Sequence, residues 1–313
     1  MDLTAVPILM EHLKEAEKLT SEALRIADYG CSEGYNSMVI FRKVLEDFRS
    51  HSNRPLSILH TDLPDNNWSC FFNTVNNSEN SYHWLENVFY YAVGKSFYRQ
   101  LSPPNSIHVA FSAFAMHYLS KIPDRGQQEV GISYPEASEQ AITDVTNNLM
   151  NRIKELVIGG FMTIIVAAKD EGNKKIVSMY FEPVKNLVAQ GIVTAEEYQN
   201  YYWPSYHLSR EEWERILGNF NGKIEVLSLE MTKGICPFYT EYINGGSEDE
   251  YREKLLSFVA VLVRNPLYNC LSSRSDEEKE RIYQLCKNEI VKMIDNTEVC
   301  MYYSTVVIKK IAE

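Results

Sequence analysis

The sequence predicts an α/β fold in which a parallel sheet carries helices on both faces. Through the first half of the chain, short apolar runs alternate with segments of helical periodicity. Strands that alternate with helices are typical of a parallel sheet covered on both sides. At 313 residues the chain can bury a full core, in one large domain or in one domain with an insertion.

The predicted elements follow one another in a regular order. Residues 4–20 alternate apolar and charged positions at helical spacing and predict an amphipathic helix. Strands are predicted after it over residues 24–28, 56–61, 88–93, 107–111 and 161–167. Helices are predicted between some of these strands, over residues 35–48 and 140–156. Gly159 and Gly160 are predicted to form the turn from the second helix into the fifth strand.

The C-terminal third has a different pattern. Residues 224–230 and 301–310 are rich in β-forming side chains and predict two late strands. A long block with helical periodicity, residues 248–294, lies between them. We therefore expect two further strands, with mainly helical additions around them.

Two of the predicted strands end in a carboxylate, and the first continues into a glycine turn. Asp28 ends the first strand ahead of Gly30 and Gly34, and Asp62 follows the second strand. Adjacent parallel strands bring such ends together, where this pattern binds a ribosylated cofactor; alternatively, each Asp only caps the next helix. The Gly-x-x-x-Gly spacing is one glycine short of the dinucleotide fingerprint, and no phosphate-binding Lys-Ser/Thr follows. This favours S-adenosylmethionine over NAD or ATP.

Composition argues against several classes of partner. The net charge of −11 argues against nucleic acid, which requires clustered Lys and Arg, and against an anionic membrane surface. The sequence has no apolar run long enough to span a bilayer and no visible signal peptide. Its six cysteines, at positions 31, 70, 236, 270, 286 and 300, are far apart, as is typical of reduced thiols in a cytoplasmic protein.

Four sequence blocks occur in an order and spacing that resemble one enzyme family. They are IADYGCSEGYN at residues 26–36, DLP at 62–64, GKSFY at 94–98 and SAFAMHYLS at 112–120. Together they resemble the SABATH family of carboxyl methyltransferases, named for salicylate, benzoate and theobromine. The resemblance extends from about residue 20 to residue 230 and fades in the last eighty residues.

The resemblance implies a Rossmann-like class I methyltransferase fold, a seven-stranded sheet with helices on both faces, plus an α-helical cap inserted in the C-terminal half. The S-adenosylmethionine-binding core is expected to comprise residues 1–123, 154–183, 222–236 and 296–313. The helical cap, or substrate domain, is expected to comprise residues 124–153, 184–221 and 237–295. Because family members often pair, the resemblance also suggests a homodimer.

The glycine turn and the family pattern together give the predicted cofactor-binding residues. They are Asp28, Gly30, Cys31, Asn36, Asp62, Leu63, Ser96 and Phe97. By resemblance, Cys31 and Asn36 would lie along the methionine part of the cofactor, and Asp62 at the ribose. The ring of Phe97 would stack on the adenine.

The resemblance also implies a substrate pocket, and the sequence departs from the family there. Phe114, His117 and Tyr118 would line the pocket, but the family normally carries Trp at the position of Tyr118. A Ser-x-x-Gln leader found in the family is not seen in this sequence, which begins downstream of it, so its contact is expected to be missing or supplied otherwise. The magnesium site of some relatives matches Gln-Asn-Tyr-Tyr at residues 199–202, which lacks the carboxylate, so no metal is predicted.

The predicted function is methylation of the carboxylate of a small hydrophobic acid. A carboxylate is already ionised at neutral pH, so the reaction requires alignment and exclusion of water rather than a general base. His117 and Tyr118 are therefore predicted to orient the substrate, with no catalytic residue; each could instead be a structural residue. Two alternatives stay open: an N- or O-methyltransferase of a small heterocycle or phenol, and a catalytically inactive cofactor-binding homologue.

Overall fold

The fold is built on one sheet of seven strands. The computed structural model describes residues 2–121, 135–169 and 174–313. The strands are β1 Leu24–Tyr29, β2 Leu56–Asp62, β3 Val88–Gly94, β4 Ile107–Ala113, β5 Leu156–Ala167, β6 Ile224–Ile235 and β7 Cys300–Lys310. Their order across the sheet is β3-β2-β1-β4-β5-β7-β6.

The strand order places a crevice at the centre of the sheet. Strands β1 to β5 pair in parallel, whereas β7 is antiparallel to both β5 and β6. The chain begins at β1, moves outward to β3, and then returns to the other side of β1 as β4. In open α/β sheets, ligands bind at the carboxyl ends of the strands at such a reversal of direction. The predicted α/β fold is confirmed.

Helices cover both faces of the sheet. They are α1 Asp2–Ala16, α2 Tyr35–Arg49, α3 Trp68–Asn77, α4 Pro135–Glu155, α5 Lys174–Ala189, α6 Ala195–Gln199, α7 Arg210–Gly218, α8 Pro237–Ile243, α9 Glu248–Cys270 and α10 Asp276–Met293. Side chains of a strand point alternately to opposite faces. Accordingly Ile26 packs among α1, α2 and α3, whereas its neighbour Ala27 packs among α4 and α7.

A separate helical unit lies in the C-terminal half of the chain. Helices α5, α9 and α10 share one buried cluster that includes Val184, Val259 and Ile290. Helices α6 and α7, which flank the extended residues 200–209, both begin with a capping box. Thr194 and Glu197 form the first, and Ser209 and Glu212 form the second. Arg274 also binds Glu197 through two hydrogen bonds of 2.6 and 2.8 Å.

The structure differs from the sequence prediction at the start of β5. The strand begins at Leu156, directly after α4, so Gly159 and Gly160 lie within the strand and not in a turn before it. The pairing register with β4 is irregular here, and Gly159 has φ +85°. Such a backbone conformation is typical of a β-bulge. The two glycines therefore belong to an irregular strand. A pair of glycines in the sequence is equally compatible with a helix end, so the sequence alone does not distinguish the two.

The packing of three helices differs from the predicted boundaries between core and cap. Helices α4 and α7, predicted in the cap, pack on the sheet, with Val145 and Trp213 in its buried cluster. Helix α5, predicted partly in the core, packs with α9 and α10. Helical periodicity shows that a helix has an apolar face but not which element this face packs against. The predicted boundaries between core and cap therefore differ from the observed packing. Residues 124–134 of the predicted cap lie outside the described residues, and the assignment of cofactor and substrate domains stays a prediction.

A buried ion pair joins α4 to the central strand. The side chains of Arg152 and Glu155 are 0% exposed and lie 2.8 Å apart. The Arg152 guanidinium lies 4.2 Å from the ring centre of Tyr29, and the Tyr29 hydroxyl donates a 2.7 Å hydrogen bond to Glu155. A buried charge is tolerated when it is paired with an opposite charge and hydrogen-bonded. The pair thus locks α4 to the end of β1.

The same ion pair holds the irregular segment that follows β3. The Arg152 guanidinium donates hydrogen bonds to the carbonyl oxygens of Phe97 and Arg99, at 3.0 and 2.7 Å. The Glu155 carboxylate accepts hydrogen bonds from the backbone amides of Leu101 and Ser102, at 2.5 and 3.1 Å. A segment without regular structure therefore has its backbone polar groups satisfied by one buried pair.

One part of the sheet face has no covering helix among the residues that the structure describes. Phe89 and Tyr91 of the edge strand β3 are 53% and 58% exposed, beside a groove of about 440 Å³ that also includes Arg25 and Leu59. Within the described part of the chain, no helix is both long enough and apolar enough to span a membrane.

We predict that Arg152→Met destabilises the fold strongly. The substitution leaves the Glu155 carboxylate buried without its counter-charge, which typically costs about 3–5 kcal/mol. Urea-induced unfolding measures the free energy of unfolding of both proteins. Arg215→Met is the matched control, because it removes an ion pair with Glu139 that is exposed and should change stability very little. A loss in Arg152→Met no larger than in the control would contradict the prediction.

Candidate active site

The glycine turn after β1 packs tightly against its neighbours. Gly30 has φ +85°, and a Cβ atom there would lie 2.3 Å from the Cβ of Ala115, so only glycine fits. The backbone amides of Gly30 and Cys31 both donate to the carbonyl oxygen of Thr61, at 2.8 and 3.0 Å. Gly34, with φ +87°, then begins α2. The turn is therefore fixed against the end of β2.

Asp62 connects the end of β2 to this turn. Its Oδ2 accepts a 2.7 Å hydrogen bond from the amide of Ser32, and its Oδ1 accepts a 2.8 Å bond from the amide of Leu63. Each carboxylate oxygen keeps a second lone pair, and the side chain is only half-buried. Leu63 is 48% exposed beside it. The carboxylate is thus held by the turn and could still accept hydrogen bonds from a ribose.

Asp28 lies deeper than the sequence prediction implies. It is 2% exposed, and its Oδ2 lies 2.8 Å from Nδ1 of His60. The Nε2 atom of His60 is in turn 2.6 Å from the hydroxyl of Tyr82. The Cys31 thiol is close to Asp28 and His60, and burial and the charges of Asp28 and Asp62 raise the pKa of this thiol. Cys31 is therefore a protonated wall residue, not a nucleophile.

The ligand-type atoms of Asp28, Cys31 and His60 lie within 4.8 Å of one another. Both ring nitrogens of His60 already take part in hydrogen bonds, to Asp28 and Tyr82. Both nitrogens of His60 therefore belong to a hydrogen-bonded chain that connects Asp28 to Tyr82. The absence of a metal stays a prediction of the sequence.

The remaining predicted cofactor residues border the same turn. Phe97 is half-buried, and its Cε1 would lie 3.9 Å from a Cβ atom on Gly30. The Ser96 hydroxyl oxygen accepts a 3.3 Å hydrogen bond from the amide of Tyr98. Asn36 is exposed in the first turn of α2. The predicted residues thus surround the carboxyl ends of β1, β2 and β3, and their contact with a cofactor stays a prediction.

The predicted substrate residues follow β4. Phe114 has φ +50°, in the left-handed region, and its amide donates a 2.7 Å hydrogen bond to the carbonyl oxygen of Ile165. The rings of His117 and Tyr118 lie 4.4 Å apart, centre to centre. Burial and the nearby charge of Asp62 raise the pKa of Tyr118. Tyr118 is therefore close enough to the carboxylate predicted to bind the ribose to be influenced by its charge.

His207 lies beside His117, and the sequence prediction missed it. Its ring lies 5.8 Å from that of His117, edge to face. Backbone hydrogen bonds from Tyr206 to His117 and from Leu119 to Pro204, at 2.8 and 2.7 Å, bring the two segments together. Ninety residues separate the two histidines, and no periodicity connects them.

Both histidines are neutral at physiological pH. Burial and the neighbouring His207 lower the pKa of His117 to about 3, and burial lowers the pKa of His207 to about 4. The Nδ1 atom of His117 is buried and has no hydrogen-bond partner in the described structure. A buried imidazole nitrogen without a hydrogen-bond partner costs free energy, and a bound substrate could supply the missing partner.

The aromatic residues 198–206 are mainly packing residues. Tyr201 is fully buried and donates a 2.6 Å hydrogen bond to the carbonyl oxygen of Tyr180. The rings of Tyr180 and Trp203 stack 5.0 Å apart. Burial and the neighbouring Tyr118 raise the pKa of Tyr180. This aromatic stack therefore lies near Tyr118.

A protein-family model described as "SAM dependent carboxyl methyltransferase" matches residues 4–310. The chain belongs to this family. The family assignment made from the four sequence blocks is thereby confirmed, and the match extends through the C-terminal third, where the motifs fade.

Individual relatives are distant in sequence but similar in fold. Methyltransferase FUS9 of Gibberella fujikuroi is 25% identical over 237 residues, which are 72% of this chain and 65% of the relative. Salicylate/benzoate carboxyl methyltransferase of Arabidopsis thaliana is 25% identical over 232 residues, 66% of this chain and 61% of the relative. The chain thus covers slightly less than two thirds of each.

A solved structure described as loganic acid methyltransferase with SAH matches this fold. The alignment covers 98% of this chain and 92% of that chain, with a TM-score of 0.72 and 21% identity. The likeness confirms the Rossmann-like methyltransferase fold with its seven-stranded sheet.

We predict that Asp62→Ala weakens binding of S-adenosylhomocysteine at least about tenfold. The substitution removes an acceptor for the ribose hydroxyls and also frees the amide of Ser32 in the turn. Isothermal titration calorimetry measures the dissociation constant. Asp65→Ala is the control, because Asp65 is an exposed carboxylate three residues away. Equal affinities for the two variants would contradict the placement of the ribose.

We predict that His207 makes the fold sensitive to acid. Its pKa falls from the ordinary value of 6.5 to about 4 on folding, so the unfolded chain binds more protons between these values. The contribution of the neutral His207 to the free energy of unfolding is therefore fully present above pH 6.5 and is lost as the pH falls towards 4.

When the pH is lowered from about 7 to about 4.5, the free energy of unfolding of His207→Asn is therefore expected to fall by roughly 2 kcal/mol less than that of the unchanged protein. Urea unfolding at several pH values measures the difference. His83→Asn, at an exposed histidine, is the control and should follow the unchanged protein. Identical pH dependence of the His207 variant and this control would show that the prediction is wrong.

Proposed function

We propose that this protein is an S-adenosylmethionine-dependent methyltransferase that converts the carboxylate of a small hydrophobic acid into its methyl ester. One observation carries the proposal: the Gly30 turn and Asp62 end the paired strands β1 and β2, and the segment that follows the neighbouring strand β4 packs against this turn through Ala115. A donor site and an acceptor site thereby adjoin across one crevice. Membership of the carboxyl methyltransferase family supports the proposal.

The residues around the turn fit S-adenosylmethionine in charge and shape. Asp62 would accept hydrogen bonds from the ribose hydroxyls, and Leu63 would pack against the adenine. Phe97, held by its carbonyl to Arg152, offers its half-buried ring to the base. The methionine part of the cofactor would lie along Gly30 and Cys31.

The remaining predicted contacts lie along the same path. Asn36, at the start of α2, would bind the methionine carboxylate end of the cofactor, where the positive end of the helix dipole adds attraction. Ser96 and Asp28 lie on either side of the turn and complete the proposed binding residues. No phosphate-binding group is required by this cofactor.

The proposed reaction is a direct displacement. When bound, the cofactor supplies an electrophilic methyl group on a positively charged sulfur. An oxygen of the acceptor carboxylate forms the new bond to the methyl carbon, and the electrons of the broken carbon–sulfur bond stay on sulfur. No proton is transferred, so this chain contributes orientation and a dry site rather than a base.

Three side chains would orient the acid. The neutral imidazole of His117 and the hydroxyl of Tyr118 can each donate a hydrogen bond to the carboxylate. Phe114, at the left-handed turn after β4, would contact the apolar part of the acid. The Tyr118 hydroxyl keeps its proton because its pKa is raised, so it donates at neutral pH.

A second candidate is methylation of a ring nitrogen or hydroxyl. The buried, unpartnered Nδ1 of His117 favours it, because a neutral imidazole nitrogen can accept a hydrogen bond from the N–H or O–H group that is methylated. A small heterocycle or phenol would then be the substrate. A catalytically inactive cofactor-binding homologue is the third reading, motivated by Tyr118 where the family carries Trp.

We predict that incubation with methyl-labelled S-adenosylmethionine and a panel of aromatic, terpenoid and fatty acids yields a base-labile methyl ester. His117→Phe should lower kcat/KM for the acid about a hundredfold, because the carboxylate loses an orienting donor. Its affinity for S-adenosylhomocysteine should stay unchanged. His51→Phe, at an exposed histidine just after the C-terminal end of α2, is the control.

The product distinguishes the three candidates. Base-stable methylated products would favour the nitrogen or hydroxyl acceptor. Cofactor binding without any methylated product across acids, xanthine-like heterocycles and phenols would favour the inactive homologue.

Further partner and location proposals rest on composition and on the surface. The six cysteines are free, which supports a reducing, cytoplasmic location. The net charge of −11 supports the absence of nucleic-acid and membrane partners. For the homodimer suggested by the family resemblance, the exposed Phe89 and Tyr91 of β3 offer an apolar face.

A further inference from the structure

The buried chain from Asp28 through His60 to Tyr82 has a defined hydrogen-bond direction. The Tyr82 hydroxyl has no hydrogen bond other than that to Nε2 of His60 within the described structure, so it donates to this nitrogen. Burial and the charge of Asp28 raise the pKa of Tyr82, which keeps the hydroxyl protonated. The His60 ring then carries its proton on Nδ1 and donates it to Asp28 Oδ2.

The surroundings of His60 fix its ring in place. His60 is 0% exposed, and its ring contacts those of Phe41, Phe71 and Tyr82 at centre-to-centre distances of 5.8, 5.1 and 6.1 Å. A histidine enclosed by three aromatic rings cannot turn away from Asp28 without disrupting the core. The donated hydrogen bond therefore sets the orientation of the carboxylate.

One oxygen of this carboxylate remains available. No residue of the described chain donates a hydrogen bond to Oδ1 of Asp28, although the side chain is only 3% exposed. A nearly buried carboxylate with an open oxygen favours a cationic hydrogen-bond donor. Asp28 lies next to the Cys31 wall of the turn, at the methionine end of the proposed cofactor site.

We propose that His60 is a positioning residue that aims Oδ1 of Asp28 at the ammonium group of the cofactor. The cofactor has two cationic centres, and the sulfonium must face His117 and Tyr118 for transfer to occur. The ammonium group is therefore the centre left for Asp28. This inference rests on the proposed cofactor placement and is independent of which acceptor is methylated.

The test compares two ligands that differ only at the amino group. S-adenosylhomocysteine carries the ammonium group, and its deaminated analogue keeps the carboxylate but lacks the amine. Isothermal titration calorimetry on the full chain gives both dissociation constants. If Asp28 binds the ammonium group, the unchanged protein should bind S-adenosylhomocysteine roughly tenfold to a hundredfold more tightly than the deaminated analogue.

Matched variants of His60 separate positioning from packing. His60→Asn keeps an N–H donor near the place of Nδ1 and should retain most of the preference. His60→Leu has a similar size without a donor and should reduce the preference to within about threefold. His60→Gln places its donor near Nε2 instead and should behave like the Leu variant, which keeps the test decisive if His60→Leu does not fold.

Three results of this calorimetry would decide the proposal. A preference lost in the Leu and Gln variants and retained in the Asn variant supports the proposal. Equal weakening of both ligands in every variant would overturn it, because that is the signature of a packing role. An unchanged protein that binds both ligands equally would also overturn it, while leaving the proposed methyltransferase function intact.

Discussion

The buried pair of Arg152 and Glu155 is the interaction on which the candidate site depends. It attaches α4 to β1 through Tyr29 and simultaneously satisfies four backbone groups of the segment after β3. That segment supplies Phe97 to the proposed adenine site but has no helix or strand of its own. Its geometry therefore comes from a charge buried in the scaffold, which couples the stability of the sheet to the shape of the crevice.

The central part of the fold could be predicted from the sequence because its signals are local. Each parallel strand is a short apolar run, and the runs that precede Gly30 and Asp62 end at polar residues that must leave the core. The boundaries between core and cap could not be predicted in the same way. Helices α4 and α5 have similar apolar stripes, and only their tertiary partners separate them. The bulge at Gly159 depends likewise on pairing with β4.

The same distinction applies to the candidate site. The Gly30 turn and Asp62 belong to contiguous motifs, so their meeting at adjacent strand ends follows from parallel pairing alone. His207 reaches His117 only because the extended segment after α6 pairs with the chain after β4. No sequence pattern singles out His60 or Tyr82, and their connection to Asp28 exists only in the packed interior.

The two capping boxes around the extended residues 200–209 have a consequence for evolution. Helices α6 and α7 each satisfy their first amides with their own side chains, and Arg274 secures Glu197 independently. A substitution at His207 would therefore leave the caps of both neighbouring helices in place. Evolution could therefore change the specificity of the proposed acceptor site at this position, while the residues proposed to bind the cofactor stay the same.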